Sequence, residues 1–327
     1  MKGLRHRLIL WGGGMNALFA AAAFYYSTIL PSWLRLAFAL GFPLFLLVAL
    51  RLRNQYWRGV SATLLVVGFW GWYLNDPPRN DRDWQVEYSI PADAVLDGNI
   101  AHLQHVRDFA WHDESTFTPH WYDANYDIDT LSGVDMVTSY WAGESIAHVF
   151  LSFAFLDGRH LAISIETRRQ KRFPYSVIAG FFHHYETFYV TADERDLIGV
   201  RTDFRRERVY LYHLKLTPGE GRRLFLNYLH TIHRLNTVPA WYNTLTDNCT
   251  TGILSEAQAG FRYRLDWRIL LSGYTASLAW KMGFLDQRYS FPVLRRLSQV
   301  RRPVGATPGF NYSREIRQSL PAATSGR

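Results

Sequence analysis

Three apolar stretches fill the first quarter of this 327-residue chain, and they constrain its fold more than any other feature. They cover about residues 8–30, 34–50 and 60–74. Each is near the ~20 residues that a membrane-spanning helix needs, although the third is short. Pro31-Ser32-Trp33 fits a tight turn between the first two stretches. We therefore predict a transmembrane anchor of about three helices over residues 1–74. The alternative is that residues 8–50 hold a single span and an interfacial segment.

The charges of this segment predict its orientation. Residues 1–74 contain seven basic residues and no Asp or Glu, so they account for most of the net charge of +8. The basic residues at the N-terminus and at 51–58 fall on the cytoplasmic side under the positive-inside rule. The chain after Leu74 then lies on the non-cytoplasmic side of an inner membrane, to which a multi-pass anchor tethers it. Because the rest of the chain is almost neutral, nucleic-acid binding loses its electrostatic support.

The remaining chain divides by composition. Residues 75–84 are rich in Pro, Asn and Asp and are typical of a linker. Residues 85–302 contain several short strand patterns followed by helical patterns, which indicates an α+β domain with packed helices. Residues 303–327 are rich in Ser, Pro, Gly and Arg, so we predict that this tail is disordered.

Cys249 is the only cysteine, which excludes an intrachain disulfide. It follows Asp247-Asn248, two good N-cap residues, and the next residues have helical spacing. The thiol is thus predicted in the first turn of a helix, where backbone N–H groups favour the thiolate. Asn248, the neighbouring Thr250 and the more distant Ser164 are candidates for binding substrate or an oxyanion. A small buried structural cysteine is the alternative.

A thiol nucleophile needs a base, and the hairpin around residues 147–167 offers one. Odd-numbered residues form its apolar face, whereas His148, Ser164 and Glu166 share the other face. A three-residue loop at Asp157-Gly158-Arg159 keeps both apolar sets on one side. In that register Ser152 pairs with Ser164, and Glu166 is a diagonal neighbour of His148 that could orient the imidazole.

Several motifs resemble one known family, in order from about Asn80 to Trp280. They are Asn80-Asp81-Arg82-Asp83-Trp84, Phe117-Thr118-Pro119, Ser139-Tyr140-Trp141, Ala147-His148, Ser164-Ile165-Glu166-Thr167-Arg168, Ala192-Asp193-Glu194-Arg195-Asp196, Trp241-Tyr242-Asn243 and Asp247-Asn248-Cys249-Thr250-Thr251. The resemblance is to the Lnb N-terminal periplasmic domain family, whose name refers to a lipoprotein N-acyltransferase. The order of His before Cys also resembles circularly permuted, papain-like thiol enzymes of the NlpC type.

The resemblance implies a papain-like domain with an antiparallel sheet, in which Cys249 is the nucleophile and His148 the base. One departure is that transferase members carry their membrane spans after this domain, whereas here the apolar stretches precede it. A thiol acyltransferase or hydrolase acting on a lipid, lipoprotein or cell-wall substrate is the leading hypothesis. A cell-wall peptidase of the same fold and a non-catalytic envelope scaffold are the alternatives. We predict no cofactor and no metal, since His102 and His105 lack carboxylate partners at metal-site spacing.

Overall fold

A computed structural model of the protein describes residues 2–258, 266–318 and 320, with the side chains of residues 2–10 left out. The chain forms two compact units. The first contains the chain up to Arg82 together with Phe173–Glu186 and Ala240–Thr244, and the second contains the remainder. Two short pieces of the region that follows the linker are therefore part of the unit that contains the apolar helices.

The three apolar stretches of the first unit form helices α1 (Lys2–Tyr25), α2 (Ser32–Leu50) and α3 (Gln55–Leu74). Within the described residues, only α2 is both long and apolar enough to cross a membrane, with a mean hydropathy of 2.1. This measure supports one span and does not confirm the prediction of about three. Charged residues and a Gly-Gly-Gly run lower the hydropathy of α1, and Gln55-Tyr56-Trp57-Arg58 lowers that of α3.

An aromatic cluster holds the three helices together. Phe24 of α1, Phe42 of α2 and Phe69 of α3 share one buried cluster with Phe182 from the segment Phe173–Glu186. The ring centroids of Phe24 and Phe42 are 6.0 Å apart, and those of Phe24 and Phe69 are 5.4 Å apart. Their packing explains why this segment belongs to the same unit as the helices.

The second unit is built on an eight-stranded sheet in the order β1-β2-β9-β8-β7-β6-β10, with β5 paired to β2. The strands are β1 Asp93–Asp97, β2 Ile100–Arg107, β3 Ala110–Trp111, β4 Phe117–Thr118, β5 Trp121–Asp127, β6 Leu131–Ala142, β7 Ile146–Phe155, β8 His160–Arg168, β9 Glu186–Asp193 and β10 Arg208–His213. β3 and β4 form a separate pair. Because β2 and β9 pair in parallel at Arg107 and Ala192, the sheet is mixed and the prediction of an antiparallel sheet is wrong at this step. No hairpin links these two strands, so no tight turn fixes their direction.

Helices cover this sheet, as the α+β prediction requires. They are α4 Glu194–Leu197, α5 Pro218–Thr237, α6 Cys249–Glu256, α7 Trp267–Leu270, α8 Thr275–Lys281, α9 Phe291–Leu297 and α10 Tyr312–Glu315. A capping box of Thr217 and Glu220 begins α5. Phe225 of α5 packs on Phe153 and Phe155, which are on the predicted apolar face of β7.

In the β7–β8 hairpin the predicted residues share a face, but the strands pair in a different register from the predicted one. Ser152 pairs with Ala162, so the predicted pairing of Ser152 with Ser164 is wrong. The three-residue loop covers residues 156–158, so it begins one residue earlier than the predicted loop 157–159. Gly158 is its last residue and adopts a left-handed φ of +86°. Continuing the observed register places His148 directly opposite Glu166 rather than diagonal to it.

The chain after residue 302 differs from the predicted disordered tail in its described part. Tyr312 in α10 is buried in a cluster with Phe150 of β7. Arg317 forms ion pairs with Asp135 and Glu194. A few such anchors order a segment whose average composition is that of a disordered one. Residues 319 and 321–327 lie outside the described residues.

Candidate active site

Helix α6 begins at Cys249, as predicted, and its start is closed by a reciprocal cap. The Asn248 Oδ1 atom accepts hydrogen bonds from the backbone N–H groups of Thr250, at 2.8 Å, and Thr251, at 3.0 Å. The Thr251 hydroxyl oxygen in turn accepts the backbone N–H of Asn248 at 2.8 Å. This capping box fixes the first turn of α6 and so fixes the position of the buried thiol.

Helix α6 packs against strand β7, which carries His148. The predicted nucleophile and base lie near enough that each shifts the pKa of the other.

Ser164 links the imidazole to a carboxylate on β8. His148 Nε2 lies 2.6 Å from Ser164 Oγ, which donates to Glu166 Oε1 at 3.0 Å. Since the hydroxyl donates its only proton to Glu166, it accepts a proton from Nε2 of His148. The direct distance from Nε2 to Glu166 Oε1 is 3.5 Å, which is an ion-pair contact rather than a short hydrogen bond.

Two further side chains hold Glu166. The Tyr88 hydroxyl donates to Oε2 at 3.2 Å, and Arg201 Nη2 lies 3.3 Å from Oε1. Neither residue was identified from the sequence. Tyr88 belongs to a short helical turn before β1, and Arg201 belongs to a π-helical turn after α4. Only the folded sheet brings them to the end of β8, and no local spacing signals that they meet.

His148 shifts the pKa values of both Cys249 and Glu166, and both of them shift the pKa of His148. Burial raises the pKa of the Cys249 thiol, but the hydrogen bond and the charge of His148 outweigh burial and lower it overall. Burial lowers the pKa of His148, whereas its bonds to Cys249 and Glu166 raise it to about 9. Burial raises the pKa of Glu166, but His148 and Arg201 hold it well below its usual range. These directions favour a thiolate beside an imidazolium that a carboxylate stabilises.

The other predicted residues lie close by but make different contacts from those expected. Ser164 lies between His148 and Glu166, and its hydroxyl is hydrogen-bonded to both side chains. Asn248 Oδ1 and the Thr250 N–H bind each other, which leaves the N–H of Cys249 as the oxyanion donor to consider. His102 contacts Asn125, and no metal-binding group of three or more His, Cys, Asp or Glu side chains occurs among the described residues.

Comparison with known families gives one match. Residues 117–273 match the family model described as the Lnb N-terminal periplasmic domain. The matched segment includes His148, Ser164, Glu166, Arg201 and Cys249, so the resemblance predicted from the sequence is confirmed over the region that holds the site. Comparison with curated proteins and with solved structures gives no match. A periplasmic domain and one apolar N-terminal helix fit a membrane-anchored periplasmic protein.

Proposed function

We propose that this Lnb N-terminal periplasmic domain is a thiol acyltransferase in which Cys249 is the nucleophile and His148 the general acid and base. The observation that carries the proposal is the position of Cys249 at the start of a capped helix that packs on β7, where Cys249 and His148 each shift the pKa of the other. Ser164 and Glu166 support it, because they occupy Nε2 of His148 and leave Nδ1 for the thiol. Thiol enzymes activate their nucleophile with such a base and orienting group.

The reaction would proceed in two balanced steps. The Cys249 thiolate attacks the carbonyl carbon of an acyl ester, a C–S bond forms, and the C–O bond breaks. The departing alcohol takes its proton from the His148 imidazolium. His148 then removes a proton from an incoming amine, which attacks the thioester, forms an amide and releases the thiolate. The proton remains on His148, so the resting ion pair is restored.

Charge on the carbonyl oxygen needs a donor in both steps. We assign this role to the backbone N–H of Cys249, because the neighbouring Thr250 N–H already binds Asn248. The N-terminal end of α6 also contributes a favourable dipole for a developing anion. Removing one such donor typically costs about 10²–10³-fold in rate.

The acyl donor is best sought among lipids and lipoproteins. A protein tethered to a membrane meets acylated molecules at high local concentration. The matched family is named for a periplasmic domain, which supports the same compartment. A papain-like peptidase acting on cell-wall peptide shares the nucleophile and base, and the following experiment separates the two.

We expect the purified full-length protein to form a covalent adduct on Cys249 when it is incubated with a diacyl lipid or a diacylated lipopeptide. The adduct should add the mass of one acyl chain and should be released by hydroxylamine, because a thioester is the intermediate. Intact-protein mass spectrometry measures both. A control with Cys249→Ser should show no hydroxylamine-labile adduct. An adduct with muropeptides in place of acyl chains would reject acyl transfer in favour of the peptidase.

We also propose that the anchor is multi-pass. Helices α1 and α3 share the buried aromatic cluster of α2, yet they expose large apolar side chains such as Trp11, Leu18, Leu64 and Val67. Exposed residues of this kind along two helices that pack beside a spanning helix are typical of lipid contact.

Reporter fusions test this topology. A phosphatase fused after Arg53, between α2 and α3, should be inactive because that turn faces the cytoplasm. The same enzyme fused after Asn75, beyond α3, should be active. Equal activity of the two fusions would show that α3 does not cross the membrane.

A further inference from the structure

The segment Phe173–Phe182, which we call the 173–182 loop, presents an apolar surface that the catalytic site does not use. Four of its large apolar side chains are exposed: Tyr175 by 45%, Val177 by 39%, Ile178 by 57% and Phe181 by 39%. Four large apolar side chains within seven residues of a loop form a concentrated patch rather than scattered surface residues.

The backbone of this loop is firmly held. The backbone N–H of Ser176 donates to the Tyr185 hydroxyl at 2.9 Å. The Thr244 N–H donates to the carbonyl of Gly180 at 2.8 Å, and the Asn243 amide donates to the carbonyl of Phe181 at 3.2 Å. A Cβ atom on Gly180 would lie only 2.3 Å from the Thr244 hydroxyl oxygen, so the two pieces of chain touch closely. The patch is therefore displayed by an ordered loop.

Contacts within the same unit fix the height of the loop along the anchor. Phe182 stacks on Tyr26, just beyond the end of α1, with ring centroids 5.7 Å apart. It also contacts Phe19 at 5.3 Å, and Phe19 lies six residues, or about 9 Å of helix rise, before Tyr25. His184 Nδ1 is 2.6 Å from the carbonyl oxygen of Tyr26. The loop is thus attached to the last two turns of α1 and to the first residue of the turn that leads to α2.

That turn carries the features of a membrane interface. Trp33 is 69% exposed at the start of the spanning helix α2, and Arg35 lies over the ring of Phe173 at 5.1 Å. Exposed Lys171 and Arg172 immediately precede the loop in the chain. Aromatic residues and snorkelling basic residues are typical of the level where lipid headgroups meet acyl chains. The turn and the loop therefore both expose apolar side chains in the first unit.

We propose that the 173–182 loop inserts into the outer leaflet of the membrane, with Tyr175, Val177, Ile178 and Phe181 buried among the acyl chains. The occupant of this surface is the lipid bilayer itself.

Site-directed fluorescence tests the insertion in the full-length protein reconstituted in vesicles of phosphatidylethanolamine and phosphatidylglycerol. In a Cys249→Ser background, a polarity-sensitive fluorophore is attached to Ile178→Cys. We expect blue-shifted emission that is quenched by lipids carrying a nitroxide on the acyl chain. The matched control is Leu156→Cys, an apolar residue that is 75% exposed in the β7–β8 turn, and it should show neither effect. Unshifted and unquenched emission at both positions would overturn the proposal.

Discussion

Replacing Cys249 with Ala is expected to lower the rate of acyl transfer by on the order of 10⁴-fold or more. The loss is large because removing one member of a catalytic unit costs about as much as removing all of them. Replacing His148 with Ala should lower it by about 10²–10⁴-fold, the range that general acid–base catalysis supplies. The rate of acyl transfer to an amine in detergent micelles measures both. His233→Ala, which changes an exposed histidine of α5, is the control and should leave the rate unchanged. Full activity of Cys249→Ala would refute the thiol mechanism.

The pH dependence of thiol alkylation gives an independent readout. In the unsubstituted protein, Cys249 should react at pH values below the ordinary thiol pKa of about 8.5, because His148 lowers its pKa. In His148→Ala the lowering contribution is absent and burial remains, so the reactivity should begin at higher pH. Acyl transfer by the unsubstituted protein should decline as pH rises through about 9, where His148 loses its proton. Identical alkylation profiles of the two proteins would mean that His148 does not activate the thiol.

The local part of this site could be predicted from the sequence. An N-cap signal at Asp247-Asn248 identifies the start of α6, and strand alternation places His148 and Glu166 on one face. Both inferences use interactions between residues that are close in sequence or joined by one turn. The register error of the hairpin arose from a single turn residue. Gly158 ends the loop instead of occupying its middle, which shifts every pair but preserves the shared face.

Long-range partners could not be predicted in the same way. Tyr88 and Arg201 reach Glu166 from distant parts of the chain, and their positions follow from the order of the strands. The parallel pairing of β2 with β9 has no local signal either, because a long stretch of chain separates the two strands. The prediction of disorder after residue 302 used average composition alone. Average composition does not show that Tyr312 is buried or that Arg317 forms an ion pair, and these two contacts order the described part of the segment.

Replacing Arg317 with Ala is expected to destabilise the protein by about 3–5 kcal/mol, because removing one partner of a buried ion pair leaves charge uncompensated. The guanidinium lies 2.7 Å from Asp135 and 2.7 Å from Glu194, and both carboxylates are buried. Ser152 remains hydrogen-bonded to Glu194 and His213 to Asp135, but neither contacts both carboxylates as Arg317 does. Thermal unfolding followed by circular dichroism should show a Tm lower by on the order of 10 °C.

The matched control and the pH dependence distinguish a lost charge from a lost side chain. Arg314→Ala removes an exposed arginine three residues away and should change stability by less than about 0.5 kcal/mol. Burial raises the pKa of Asp135 and of Glu194, but their charged partners hold both below their usual values. Ionised carboxylates therefore stabilise the unsubstituted protein at neutral pH, and this contribution falls as pH drops through the lowered pKa values. The stability difference between Arg317→Ala and the parent should shrink in the same range. A difference that stays constant from neutral to acidic pH would show that Arg317 acts through packing alone.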